Sequence, residues 1–119
     1  METRKIKKLI NLTFKPIRIL DNDKNVICTI DPAPEEERAT ISVTRKRSVP
    51  FELDGIVIPS FDYEYGEVKN IPEEEEGVVY IVSSLVAQRV PERMDVFIPN
   101  ESVRDEKGRI IGCKSLGRI

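Results

Sequence analysis

Apolar and polar residues alternate along much of this chain with the two-residue period of β-strands. Lys8-Leu9-Ile10-Asn11-Leu12-Thr13 and Pro16-Ile17-Arg18-Ile19-Leu20 read as the first two strands. Asp21-Asn22-Asp23-Lys24-Asn25 is turn chemistry, because Asn and Asp tolerate left-handed backbone angles. Val26-Ile27-Cys28-Thr29-Ile30 is then the return strand of a hairpin. The prolines of Asp31-Pro32-Ala33-Pro34 forbid regular pairing and make a loop. From Ala39 to Arg45 the alternation is strict, with Ile41 and Val43 on one face and Thr40, Ser42 and Thr44 on the other. That pattern predicts a half-buried strand.

Asp54-Gly55 is a turn, and Ile56-Val57-Ile58-Pro59 and Phe61 to Val68 are strand-like, with Pro59 marking an edge or a bend. Phe61, Tyr63 and Tyr65 share one face of their strand, interleaved with Asp62 and Glu64. Core packing is the default reading of that ladder; an exposed one would be a protein-contact or base-stacking surface. The carboxylate run Glu73 to Glu76 is a solvated loop. Val78-Val79-Tyr80-Ile81-Val82 is a continuous apolar run, the mark of a strand buried on both faces. Ser83 or Ser84 then caps a helix that runs from Ser84 to Val90 and stops at Pro91. Asp95-Val96-Phe97-Ile98 is another strand, ended by Pro99, and the connection from Val82 is just long enough to join parallel strands. Lys107-Gly108 turns the chain between Val103-Arg104 and Arg109 to Cys113. The expected fold is α+β and β-rich, a small mixed sheet or barrel-like single domain with one short helix over about residues 84–90.

Composition sharpens this picture mainly by exclusion. With 119 residues the chain matches one ordinary domain and can bury a core without staples. It contains no His, which removes Ser–His and Cys–His nucleophile pairs, His-ligated zinc and a histidine pH switch. No metal and no cofactor are expected. The two cysteines, Cys28 and Cys113, read as free, buried core thiols. The basic start is followed by too short an apolar run for a signal peptide, and no window approaches a membrane span, so the expected location is cytoplasmic. The formal net charge of −2 hides an uneven distribution. Residues 50–77 hold nine acidic groups and one basic group, whereas residues 1–49 and 78–119 are both net basic. Lys5, Lys7, Lys8 and Arg45-Lys46-Arg47 lie in a different segment from most of the aromatics, which argues against a nucleic-acid platform.

Three stretches carry a resemblance. Asn11-Leu12-Thr13-Phe14-Lys15-Pro16-Ile17 is similar to an Asn-Leu-Thr-Pro-His opening, with Phe14 and Lys15 in place of Pro-His. The second is Val79 to Ala87, continuing through Pro91, Arg93 and Asp95, and the third is Val103 to Cys113. In this order they resemble a family of small proteins from bacterial and phage genomes. The resemblance implies a cytoplasmic, phage or prophage context and brings no activity or catalytic residue with it.

The best functional cluster begins at Ser83 and Ser84, where a helix N-terminus after a buried strand offers free N–H groups. Arg93, Arg104 and Arg109 fall in the same third of the chain, and guanidinium forks suit phosphate. Against this stands a plainer reading: a serine cap, an Arg93–Asp95 pair and a hairpin turn at 104–109. Asn11 and Thr13, two apart on one strand, either satisfy a loop backbone or line a groove. Asp62, Glu64 and Glu67 bring no nucleophile or metal motif with them. The expected function is therefore a non-enzymatic binding protein that sequesters a nucleotide-like anion, a form of counter-defence in a phage setting. The alternative is a protein–protein interaction or assembly module, in which the acidic 50–77 segment faces a basic patch on a second copy. Partners are an anionic small molecule or a host protein, with no membrane and no nucleic acid.

Overall fold

The apolar run after Gly77 becomes the buried strand its composition demands. In the computed structural model, which describes residues 2–119, β8 (Val78–Ile81) lies between two parallel neighbours, β1 (Lys8–Asn11) and β9 (Val96–Arg104). Val78, Tyr80 and Val82 face one core with Leu12, Val86, Ala87 and Val96. Ile81 points the other way, into a second core with Ile17 and Cys113. Burial on both faces is why this strand lacks the polar alternation of the others. A single short α-helix among the described residues, α1 (Ser84–Gln88), makes the crossover from β8 to β9. Ser83 Oγ accepts from Val86 N, and the chain leaves the helix two residues earlier than the pattern predicts.

The sheet continues from β9 to β10 (Ile110–Gly117), β2 (Ile17–Leu20) and β3 (Val26–Ile30), in the order β1-β8-β9-β10-β2-β3. It is small and mixed: β8 pairs parallel to both neighbours and β10 pairs parallel to β2, while the two hairpins are antiparallel. Its two edges approach each other where Asn11 bridges to Pro32 and Ala33 N donates to Asn11 O. Pro99 does not end the strand as the pattern suggests. Tyr80 N and Val82 N donate to Asp95 O and Phe97 O, so odd-numbered residues of β9 turn their polar backbone groups toward β8. The N–H that Pro99 lacks would therefore point to the β8 side and not toward β10, so Pro99 still pairs with Leu116 and the strand runs on to Arg104.

The two turns at the far end share one design. In each, an aspartate Oδ1 accepts from the backbone N–H groups two and four residues on: Asp21 from Asp23 and Asn25, and Asp105 from Lys107 and Arg109. The position before the return strand is left-handed in both, Gly108 at φ 79° and Lys24 at φ 65°. Glycine takes that angle freely and lysine does not. Lys24→Gly is expected to stabilise the fold by about 0.5–1 kcal/mol in urea unfolding; a loss would show that the Lys24 Nζ bond to Arg104 O outweighs the strain. Both carboxyls are held below the usual carboxylate range, first by the backbone N–H of Asn25 at Asp21 and of Arg109 at Asp105. A carboxyl with a depressed folded-state pKa contributes stability above its unfolded pKa and loses it as pH falls through the folded value. The D21N/D105N double variant keeps the acceptor oxygens without ionising, so its stability is expected to fall less than wild type's below about pH 4. Equal slopes in acid unfolding would contradict this.

The remaining strands leave the body. β4 (Thr40–Arg47) and β7 (Phe61–Lys69) form a long antiparallel ribbon, and β5 (Phe51–Leu53) and β6 (Ile56–Ile58) form a second short hairpin at its tip. Pro50 and Pro59 lie between the two ladders and interrupt the pairing, since neither can donate. Asp54 and Gly55, both at positive φ, close the tip. Only the base of the ribbon is packed, where Ala39, Ile41, Val68 and Ile71 lie against the first core. This projection explains a radius of gyration of 18.1 Å and a longest dimension of 59 Å, against about 13.5 Å for the radius of a compact chain of this length.

Four expectations are corrected here. The strand beginning at Ala39 is not half-buried: beyond Ile41 its residues are exposed. Phe61, Tyr63 and Tyr65 are not core residues: Phe61 is half-buried, and Tyr63 and Tyr65 are exposed. In both cases the alternation is genuine, but a ribbon that projects from the body has nothing to bury its apolar face against. Cys28 is exposed because β3 is an edge strand, whereas Cys113 is buried; both are free. Cys113 and Cys28 both pair in register with Ile19, from opposite sides. Two strand spacings put them about 10 Å apart, beyond the roughly 7 Å that a disulfide spans. Lastly, basic and aromatic residues distant in sequence meet on the ribbon: the Arg45 guanidinium lies 4.2 Å from the Phe61 ring centroid.

Candidate protein-docking arm

The residues singled out for anion binding occupy separate places. Asn11 pairs with Ile81, so Thr13 and Ser83 leave the sheet at the same end. Arg93 lies at the opposite end, before β9 begins. Its guanidinium makes a two-pronged contact with the Asp95 carboxylate, at 2.8 Å from both Nε and Nη2, and donates to Pro72 O. Its pKa is raised by the hydrogen bond to Asp95. The clamp ties the loop before β8 to the start of β9. Arg104 and Arg109 lie together at the other end of β9, a strand of nine residues, or about 30 Å. There Arg104 donates to Gly108 O and Arg109 pairs with Asp105 at 3.1 Å. Arg93 is thus engaged across two loops, and Arg104 and Arg109 within their own turn.

Asn11 is the most informative of the set. It is 1% exposed. Its Nδ2 donates to Lys15 O at 2.7 Å and Ile30 O at 3.0 Å. Its Oδ1 accepts from Thr13 N and Thr13 Oγ1. Two donors and two acceptor positions are the whole capacity of an amide side chain. The Asn-Leu-Thr stretch thus joins the edge of β1 to the end of β3 and shapes the turn into β2. Ser83 spends its hydroxyl on the helix cap, and Ser84 Oγ accepts from Gln88. Among the described residues no group of carboxylates and thiols is arranged to hold a metal ion. No helix among them is long and apolar enough to cross a membrane.

What pattern reading alone missed is the ribbon and its tip, called here the arm. On one ribbon face stand Arg45, Arg47, Phe61, Tyr63 and Tyr65, in pairs Arg45–Tyr63 and Arg47–Phe61. Arg89 of the body stacks over the Tyr65 ring at 4.8 Å, anchoring the base. The other face is polar and carries the Lys46–Glu64 ion pair at 2.8 Å. In the tip, Phe51 faces Ile58 and Leu53 faces Ile56, so four apolar side chains share one face. Phe51, Leu53, Ile56 and Val57 are each 60% or more exposed. Clustered apolar exposure of this kind marks an interaction surface. One signal in the sequence did point here: an Asp-Gly turn between short apolar runs, framed by Pro50 and Pro59.

Comparison of the chain with models of known protein families, with curated proteins and with solved structures finds no match.

Proposed function

We propose that this chain is a non-enzymatic assembly module that docks on protein through its arm. The observation that carries this reading is the exposed apolar and aromatic surface of the arm. Burying it against a partner would gain hydrophobic free energy that the isolated chain leaves unrealised. Tyr, Phe and Arg on a rigid ribbon are the residue types that concentrate binding energy at protein interfaces. The arm holds carboxylates as well (Glu52, Asp54, Asp62, Glu64 and Glu67), which disfavours a polyanion as its partner.

The test is site-specific photocrosslinking in the expressing cell. A photoreactive side chain at Val57 or Tyr63 is expected to link to protein, its own copies included, while the same group at Glu106 on the β9–β10 turn stays unlinked. Equal labelling at all three positions, or none, would overturn the reading. Two counter-measurements name the rivals. Tight binding of a single-stranded oligonucleotide that Tyr63→Ala abolishes would make the arm a stacking platform. A nucleotide-sized anion released on denaturation in native mass spectrometry would restore the small-ligand reading.

A further inference from the structure

The tip of the arm has a surface of matching chemistry on the body of the same chain. A groove of about 430 Å³ opens between the approach to β2 and the bulged start of β10. Pro16, Ile17, Ile110 and Ile111 give it an apolar lining, and the exposed Lys15 and Arg18 border it. Both cations are exposed, and neither is in an ion pair among the described residues. The tip presents the complement: an apolar face of Phe51, Leu53, Ile56 and Ile58, with Glu52 on the other side and Asp54 at its turn. Those two carboxylates are likewise in no ion pair among the described residues. β5 and β6 pack chiefly on each other, so the tip is free to be received elsewhere.

We propose that the tip hairpin, Phe51–Ile58, of one copy seats in the β2–β10 groove of a second copy, apolar face inward and the Asp54 turn toward Lys15 and Arg18. This rests on the arm being a docking element, and adds what it docks on. The occupant is a second copy because apolar shape and charge sign match within one sequence. Tip and groove are different surfaces, so the contact is heterologous. Each copy donates one tip and accepts one, so the assembly closes as a reciprocal pair or a ring where the rotation between copies permits and otherwise grows as a filament.

Sedimentation velocity of the full chain from 1 to 200 µM tests this, with two variants whose changes lie far from both cores. Leu53→Glu spoils the tip and leaves the groove; Arg18→Glu spoils the groove rim and leaves the tip. Wild type is expected to associate with rising concentration and more weakly in high salt. Each variant alone is expected to associate at least tenfold more weakly. An equimolar mixture of the two is expected to form a one-to-one dimer, because one intact tip and one intact groove remain between them. Circular dichroism of each variant checks that the fold is kept, and the charge-reversed pair Arg18→Glu with Asp54→Lys is expected to regain association. A wild-type chain that stays monomeric to 200 µM overturns self-docking and leaves the arm reading to its crosslinking test. Association that survives Leu53→Glu overturns the tip as the self-docking element. Loss in each single variant without recovery in the mixture overturns the groove as the receiving surface.

Discussion

Replacing Asn11 with alanine is expected to cost about 3 kcal/mol of folding stability, among the largest effects of any single side chain here. The reason is the number of groups one amide serves. Asn11 Nδ2 satisfies Lys15 O and Ile30 O, and its Oδ1 satisfies the backbone and hydroxyl of Thr13. Alanine would strand these partners at a site with almost no solvent access, and each buried orphan costs about 1–3 kcal/mol unless water reaches it. Leucine fills the volume without restoring a bond, so it is expected to be no better. Aspartate points a second acceptor at two carbonyls and is expected to be worse at neutral pH. Thr13→Val removes only the hydroxyl and is expected to cost about 1 kcal/mol. Urea unfolding at pH 7 measures all four. An Asn11→Ala loss under 1 kcal/mol would show that water substitutes for the amide and that the seam between β1 and β3 is not closed in solution.

Gly112→Ala is expected to cost about 3 kcal/mol, for a steric reason. A Cβ at this position would lie 2.6 Å from Arg18 O and 3.0 Å from Leu20 Cγ. The first of these is backbone, so a rotamer change cannot relieve it. Gly112 stands where β10 meets β2, the contact that joins the β2–β3 hairpin to the rest of the sheet. Relief requires those strands to separate, which also loosens Cys113 in the second core. Gly108→Ala is the control: nothing lies within 4 Å of its Cβ, and only its positive φ resists the change. That substitution is expected to cost about 1 kcal/mol. Equal losses at the two positions in thermal unfolding would refute the close-approach argument.

How much of this was legible beforehand differs by element. The unbroken run Val78–Val82 announced a strand buried on both faces, and the serine after it announced the helix cap. The Asp21, Asp54 and Asp105 turns were legible because the residues that make them are adjacent in sequence. Pro99 misled, because a proline ends a strand only where its missing N–H would face a partner. The candidate site was less legible still. Arg93, Arg104 and Arg109 look like neighbours within seventeen consecutive residues, yet an extended strand carries the first some 30 Å from the others. Arg45 and Phe61 look unrelated, yet the β4–β7 register stacks them.

The sequence by itself determined the local structure: where strands alternate, where turns close, which run is buried and which chemistry is absent without histidine. Those properties depend on residues within one turn or one strand of each other. The tertiary structure alone decided which apolar faces would be covered. Ile41 and Val43 carry the same alternation, but Ile41 packs against the first core and Val43 projects with the ribbon into solvent. Periodicity says that a face is apolar; only the path of the chain in space says whether the molecule has anything of its own to set against it.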